Sequence, residues 1–563
     1  MLNMDRQLLT ALRTSLFTVS SVCIFLVSSS VSAAPFVPPP SPGAVVSPID
    51  KPVYQPERKQ KPKIEREDTP KATPPQSSVK VMVNSFTFKG NTTFSDDALK
   101  KIVAKFEGKE LSIADIYHVA DVVEANYRYK GYLLTSVYLP AQKINSGTIM
   151  LEVIEGRLGE IKIEGNISSY SENFLKNQAD ALKPGEIISD EELETETLML
   201  GDLPGLDARA VIAPGKEYGT SDVIFIAEEK RYSGVLGANN FGRKSIGEKR
   251  IEGGLLIANP IFEGDMLNLS GIAAEGSRML YGRVDYDALI NTSGSRAGIS
   301  YSAFDYEVDT AEVGLPAGST LGGKGSTIVL RGSHTLQRTS RNNTSVLVNL
   351  RRSVTQESGT ASLRPKSTIN LLEAYINWEH LYRDYARTTV SGGLSTNFKT
   401  RSDINDTSSQ KIKLTLDANH YQPFWESWFV TGRAQGVYSP DPLVDVERFR
   451  IGGQGSVRAY PSAELAGSKG GVLSVDVGKN FIVSDNVVMI PRVFADAGKV
   501  YRNDKFGLFG LASSESLAGY GGGLGVVLAK NHAIDLEVVK PTTAKVSSDG
   551  RDTRYWLSYR GTF

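Results

Sequence analysis

From Tyr232 to Phe563, apolar and polar residues alternate with a period of two in runs of about ten, and Gly, Asn, Asp and Ser separate the runs. Leu280, Gly282, Val284, Tyr286 and Ala288 alternate with Tyr281, Arg283, Asp285 and Asp287. Ile534, Leu536 and Val538 alternate with Asp535 and Glu537. The last run places Tyr555, Leu557, Tyr559 and Phe563 on one face and Ser558, Arg560 and Thr562 on the other. A sheet folded in water hides its apolar face, whereas a transmembrane barrel turns that face to lipid and its charges to the lumen. Tyr and Trp near the ends of runs, as from Tyr421 to Trp428, fit interfacial girdles. Short turns at 259–265 and 530–531 contrast with long loops at 310–325 and 356–366, as between periplasmic and extracellular sides. About sixteen strands are predicted, an even number that closes a barrel and leaves no backbone edge in lipid.

Before Tyr232 the pattern is mixed and repeats. Val81–Phe88 reads as a strand ending in Lys89-Gly90-Asn91. A helix follows from Asp96 to Lys105 behind Ser95, then a second behind Ser112 with Asp115 completing a capping box. On that second helix Ile116, Val119, Ala120, Val123 and Tyr127 share a face, and strands are predicted at 135–139 and 148–155. The second copy has a strand at 159–165 with the echo Glu164-Gly165-Asn166 and a helix at 172–182. A helix capped by Ser189 and Glu192 runs to about Leu203, and strands follow at 206–213 and 222–228. Such α+β units leave a sheet edge to which an extended polypeptide can pair, and the candidate edge in the first copy is Thr135, Val137 and Leu139.

Arg6 and Arg13, an apolar run from Leu16 to Val27 and Val31-Ser32-Ala33 predict a secretory signal peptide over 1–33. The lone cysteine, Cys23, lies inside it, so the mature chain has no disulfide to use in an oxidising periplasm. Residues 34–78 are rich in Pro, Lys, Glu and Ser and predict an extended tether; the prolines of Phe36–Ile49 argue against a helix there. Lys plus Arg and Asp plus Glu number 63 each, so no basic excess argues for nucleic acid. His118, His334, His380, His420 and His532 lack ligand spacing, and no nucleophile elbow or phosphate-binding lysine is present. The expectation is therefore no enzyme activity, no metal and no cofactor. Gly521, Gly523 and Gly525 recur at period two and suggest close packing on a strand.

Between two late strands lies a polar loop, Ser439 to Gly470, too long to be a mere connection. It contains Glu447-Arg448-Phe449-Arg450-Ile451-Gly452-Gly453 and then Val457-Arg458-Ala459-Tyr460; a later strand carries Phe494-Ala495-Asp496-Ala497-Gly498. Arg458 offers a forked donor array suited to a carboxylate, and Asp496 is placed to meet it inside a barrel.

These two segments resemble the lid-lock of POTRA-plus-barrel outer-membrane transporters. There the tip of a long loop folds into the lumen and docks on a Phe-x-Asp-x-Gly wall segment. Glu447 to Gly453 is most similar to the two-partner secretion transporters (TpsB), the haemolysin secretion/activation proteins of the ShlB, FhaC and HecB type. Ala459 stands where that family usually has Gly. The resemblance implies POTRA domains at 79–156 and 157–230 and a barrel at 231–563. It implies a monomer in the bacterial outer membrane with its POTRA domains in the periplasm. It implies two polypeptide partners, a large secreted exoprotein as client and the barrel-assembly machinery, which would read Tyr559 and Phe563 as a C-terminal signal. Val457 to Tyr460 would be the lock's tip, Phe494, Asp496 and Gly498 its wall partner, and Glu447, Arg448, Phe449, Gly452 and Gly453 the loop's support. An insertase that places other barrels in the membrane is the alternative, and a diffusion porin is a third reading, disfavoured by an arginine-bearing loop across the pore.

Overall fold

The computed structural model describes residues 64–66, 80–132, 134–144, 146–360, 366–398, 401–402, 411–502 and 513–563. The signal peptide and most of the predicted tether lie outside the described residues.

Sixteen antiparallel strands close a barrel that starts at Tyr232–Asn239 and ends at Arg554–Thr562. The seam pairs Val235 with Thr562 and Asn239 with Ser558, and Gly234 and Phe563 exchange backbone hydrogen bonds at 3.0 Å in both directions. Alternation falls as the sequence indicated. In the strand Met279–Leu289, Leu280 and Val284 are exposed on the outer face, while Arg283, Asp285 and Asp287 are buried on the inner one. The buried charges are paired, Arg283 with Asp285 at 2.6 Å, as a polar lumen requires. Among the described residues no helix is long and apolar enough to cross a membrane, which leaves crossing by strands untouched.

The first α+β unit has a sheet in the order Ser85–Lys89, Thr148–Ile154, Ser136–Tyr138, packed under helices Asp96–Val103 and Ile113–Tyr129. Ser95 caps the first helix; Ser112 and Asp115 form the capping box of the second. Phe86, Leu99, Val103, Ile116, Val119, Val123 and Tyr127 form the core. The predicted strand at 81–88 is two strands, broken at Asn84, because Lys80–Val83 pairs with Lys109–Ser112. That partner is too short and polar to show as an alternating run.

The second unit has the order Ile64–Arg66, Leu206–Pro214, Thr220–Glu229, Arg157–Asn166, with helices Glu172–Gln178 and Asp190–Gly201. Its first strand comes from the stretch read as a plain tether. Ile64 pairs in parallel with Ala210 and packs against the core, and Glu65 meets Arg209 at 2.8 Å. Three residues suffice to cover an otherwise open edge.

This unit is bolted to one end of the barrel. Arg338 donates to Asp202 at 2.7 and 2.8 Å, the Ser340 N–H to Glu194 at 2.7 Å, Thr292 to Asp180 at 2.8 Å and Asn259 to Ser169 at 2.8 Å. The short turns therefore share the end that faces the α+β units. The 439–468 loop enters from the opposite end.

Candidate functional site

The loop leaves the strand Trp428–Tyr438 and returns in Lys469–Lys479. A small hairpin, Phe449–Ile451 with Leu465–Gly467, stiffens its stem. Gly452 and Gly453 then take φ of 107° and 96°, a region side chains resist, and turn the chain into the lumen. A Cβ at Gly452 would lie 2.4 Å from the Pro461 carbonyl oxygen, so both glycines are required by the fold of the tip. Gly453 N–H donates to the carbonyls of Val457 and Tyr460, which fixes the tip as a compact knot. Ala459 does not take a positive φ, so the tip turn does not require glycine there.

The wall that receives the tip is built by register. Ser474 faces Asp496 and Asp476 faces Phe494 on neighbouring strands; Asp496 faces Gly519, Phe494 faces Gly521, and Glu537 faces both Gly523 and Trp556. All point inward. The glycines on Ser514–Leu528 leave the space these side chains fill: a Cβ at Gly521 would lie 2.8 Å from the Phe494 ring.

Arg458 is 2% exposed and meets this wall on every side. Its Nε and Nη2 donate to the two oxygens of Asp496, each at 2.8 Å, and its backbone N–H donates to Asp496 at 3.1 Å. Nη1 and Nη2 donate to Asp476 at 2.8 and 3.2 Å, and Glu537 stands 3.5 Å from Nη1. The guanidinium lies 3.4 Å over the centroid of the Phe494 ring. Its carbonyl accepts the Trp556 indole N–H at 2.8 Å. Arg492 offsets the remaining negative charge by bridging Asp535 and Glu537, each at 2.8 Å. Planar forks on two carboxylates and a ring face suit arginine and not lysine.

Around this centre the structure brings together the other sequence candidates. Val457 packs over Gly498, where a Cβ would lie 3.2 Å from it, and Tyr460 is buried with its hydroxyl 2.5 Å from Thr543. Phe449 packs on the same cluster. Glu447 and Arg448 hold the stem at another place. Glu447 pairs at 2.5 Å with Lys413 of the strand Ile412–Phe424, neighbour of the strand the loop leaves, and Arg448 donates to the Leu443 carbonyl at 3.1 Å. Val444 beside them packs on Ile369 and Leu371.

Asp476, Glu537 and Trp556 were not singled out by the sequence reading. A signal existed for two of them. Alternation with Tyr555 and Leu557 puts Trp556 on the polar face, and alternation with Leu536 and Val538 does the same for Glu537.

The candidate edge in the first α+β unit is placed differently from its role. Ser136–Tyr138 is an edge strand, but Thr135 and Val137 are buried, and Val137 N–H already donates to Glu124 at 3.3 Å. Leu139 alone of the three is partly exposed, so the side chains of Thr135 and Val137 are turned into the unit's interior. Tyr559 and Phe563 lie exposed on the outer face of the seam strand.

Comparison with known proteins follows the same lines. Residues 219–526 match the model of the haemolysin secretion/activation proteins ShlB/FhaC/HecB, and residues 81–156 match that of the ShlB-type POTRA domain. The chain is 26% identical over 500 residues to the heme/hemopexin transporter protein HuxB of Haemophilus influenzae, covering 84% of this chain and 86% of that one. It is 24% identical over 468 residues to the outer membrane transporter CdiB of Escherichia coli, covering 77% of each. The solved CdiB from Escherichia coli superposes with a TM-score of 0.68 at 20% identity, over 88% of this chain and 93% of that one. BamA from Haemophilus ducreyi lacking POTRA domains 1–3 does so at 0.54 and 15% identity, over 86% and 100%, a likeness of fold.

Proposed function

The chain belongs to the ShlB/FhaC/HecB family of haemolysin secretion/activation proteins, two-partner secretion transporters of the outer membrane, and on that premise we propose how its parts divide the work. The periplasmic units receive an unfolded exoprotein, which pairs by its backbone with an open sheet edge, and the barrel passes it outward. The loop bearing Arg458 is the gate. In the resting state its tip is locked on Asp496 and Asp476, and passage of the client requires that lock to open. No enzymatic step or cofactor enters this scheme; folding of the client outside draws it forward. Tyr559 and Phe563 present the barrel to the assembly machinery during biogenesis.

The observation that carries this reading is the fully paired Arg458 inside the lumen. Breaking a buried, hydrogen-bonded ion pair costs about 3–5 kcal/mol, so Arg458→Ala frees the tip from the wall and leaves a hinged segment loose in the client's path instead of a loop that opens and re-locks as a unit. Co-expression with the large exported protein encoded beside this chain tests it. Secretion into the medium falls with Arg458→Ala while the amount of folded barrel is unchanged. Secretion lost only in step with the barrel makes Arg458 a structural residue. Loss of other outer-membrane barrels in the absence of this chain, with no client secreted, favours the insertase.

A further inference from the structure

At the periplasmic end a cleft of about 370 Å³ opens between helix Asp190–Gly201 and two barrel turns. Glu194, Ser340, Arg341, Tyr382, Arg383 and Tyr385 form most of its wall. The acid is committed, since Glu194 accepts the Ser340 N–H at 2.7 Å. Neighbouring arginines are committed too, Arg338 to Asp202 and Arg387 to Glu379. Arg341 and Arg383 differ: both are exposed, and among the described residues neither side chain has an ion-pair or hydrogen-bond partner. The cleft is thus a net positive site with two idle guanidinium groups.

Its second wall faces lipid. Along the strand Ser367–Leu381 the outward residues are Leu372, Ile376 and Trp378, exposed by 42%, 52% and 37%. Tyr382 continues that register past the strand's end. Its ring meets His380 at 4.4 Å and His420 at 6.2 Å, and His380 stacks on Trp378 at 5.8 Å. An aromatic ladder at the end of an outward face marks the bilayer interface. The cleft therefore opens at the depth of the inner leaflet's headgroups, with lipid on one side and the helix on the other.

We propose that this cleft binds the phosphodiester headgroup of a phospholipid in the periplasmic leaflet, with Arg341 and Arg383 gripping the phosphate. Forked donors match phosphate oxygens, and basic pockets at the membrane face select headgroups. The bound lipid steadies the second periplasmic unit, because Ser340 beside Arg341 is tied to Glu194 on its helix. An acidic stretch of the client meets the same arginines but has no use for a lipid-facing Tyr382, so the register favours the lipid. The proposal rests on the outer-membrane placement and not on client passage.

The test uses the full chain in nanodiscs of phosphatidylethanolamine, with and without phosphatidylglycerol. Native mass spectrometry reads the lipid retained on release, and hydrogen exchange reads helix 190–201. The expected result is lipid retained by the wild type and lost about tenfold by Arg341→Gln with Arg383→Gln, with faster exchange in that helix and unchanged exchange in the barrel strands. Equal retention by the double variant overturns the proposal. So does protection of the helix by inorganic phosphate alone, or by an acidic client peptide in lipid-free detergent. A variant that loses lipid while a client is still secreted supports the site; absence of secretion by the wild type refutes only the transport reading.

Discussion

At the scale of single residues, the departure at Ala459 is matched by a void in the wall. A Cβ at Gly519 would lie 2.4 Å from the Ala459 Cβ and 2.8 Å from the Lys540 carbonyl oxygen. The methyl at the tip thus occupies the space that glycine leaves on the strand. Gly519→Ala is expected to push the tip off the wall, at a cost of about 1–3 kcal/mol, as overpacking does. Ala459→Gly in the same chain recovers part of that loss and not all, because the Lys540 oxygen still crowds position 519. Cysteine labelling of a residue on the tip, compared across the wild type, Gly519→Ala and the double variant, reads the lock directly. Equal labelling in Gly519→Ala and the double variant removes the coupling. Sequence alone made Arg458 and Asp496 visible because their motifs are short and contiguous. It left Asp476 hidden, since a lone aspartate on a lumen face looks like every other, and only the register of neighbouring strands aims it at the same guanidinium.

At the scale of elements, long alternating strands and helices with capping boxes were legible, and short pieces defined by their partners were not. Lys109–Ser112 and Ile64–Arg66 exist because an open edge lies beside them. The helix Asp190–Gly201 shows a further feature that no pattern reveals. Burial, with Asp180 and Glu192 close by, pushes the Glu196 carboxyl up to about 7. A raised carboxyl stabilises the fold fully below its unfolded value of about 4.3, and that contribution is lost as pH rises through 7. Above that pH the ionised group costs on the order of 3 kcal/mol, because each tenfold change in proton affinity is worth about 1.4 kcal/mol. Glu196→Gln is expected to slow hydrogen exchange in this helix at pH 8, and to make little difference at pH 5. An effect of equal size at both pH values assigns the change to packing instead.

At the scale of the whole molecule, the loop is held in two places, on strands to either side of the one it leaves. Arg458 fixes the tip, and Lys413 with Glu447 fixes the stem. Extracellular contacts close the arrangement from above: Ser462 donates to the Phe241 carbonyl at 2.8 Å, and Ser548 donates to Glu464 at 2.5 Å. Such a plug is stable only while both anchors hold, and either anchor alone leaves a hinged segment in the pore. Replacing 452–464 by a two-residue turn keeps the stem hairpin, whose strands then meet directly. In planar bilayers the wild type is expected to show brief, irregular openings, and the shortened chain a steady, larger conductance. Arg458→Ala falls between them, because Glu447 still tethers the stem. Lys413→Ala added to Arg458→Ala brings the conductance close to that of the shortened chain. If the wild type already conducts steadily at the level of the shortened chain, the loop does not obstruct the lumen and the gate fails. If the shortened chain stays closed, the obstruction lies elsewhere, and the periplasmic units bolted across the mouth through Arg338 and Asp202 become the barrier that the client must displace.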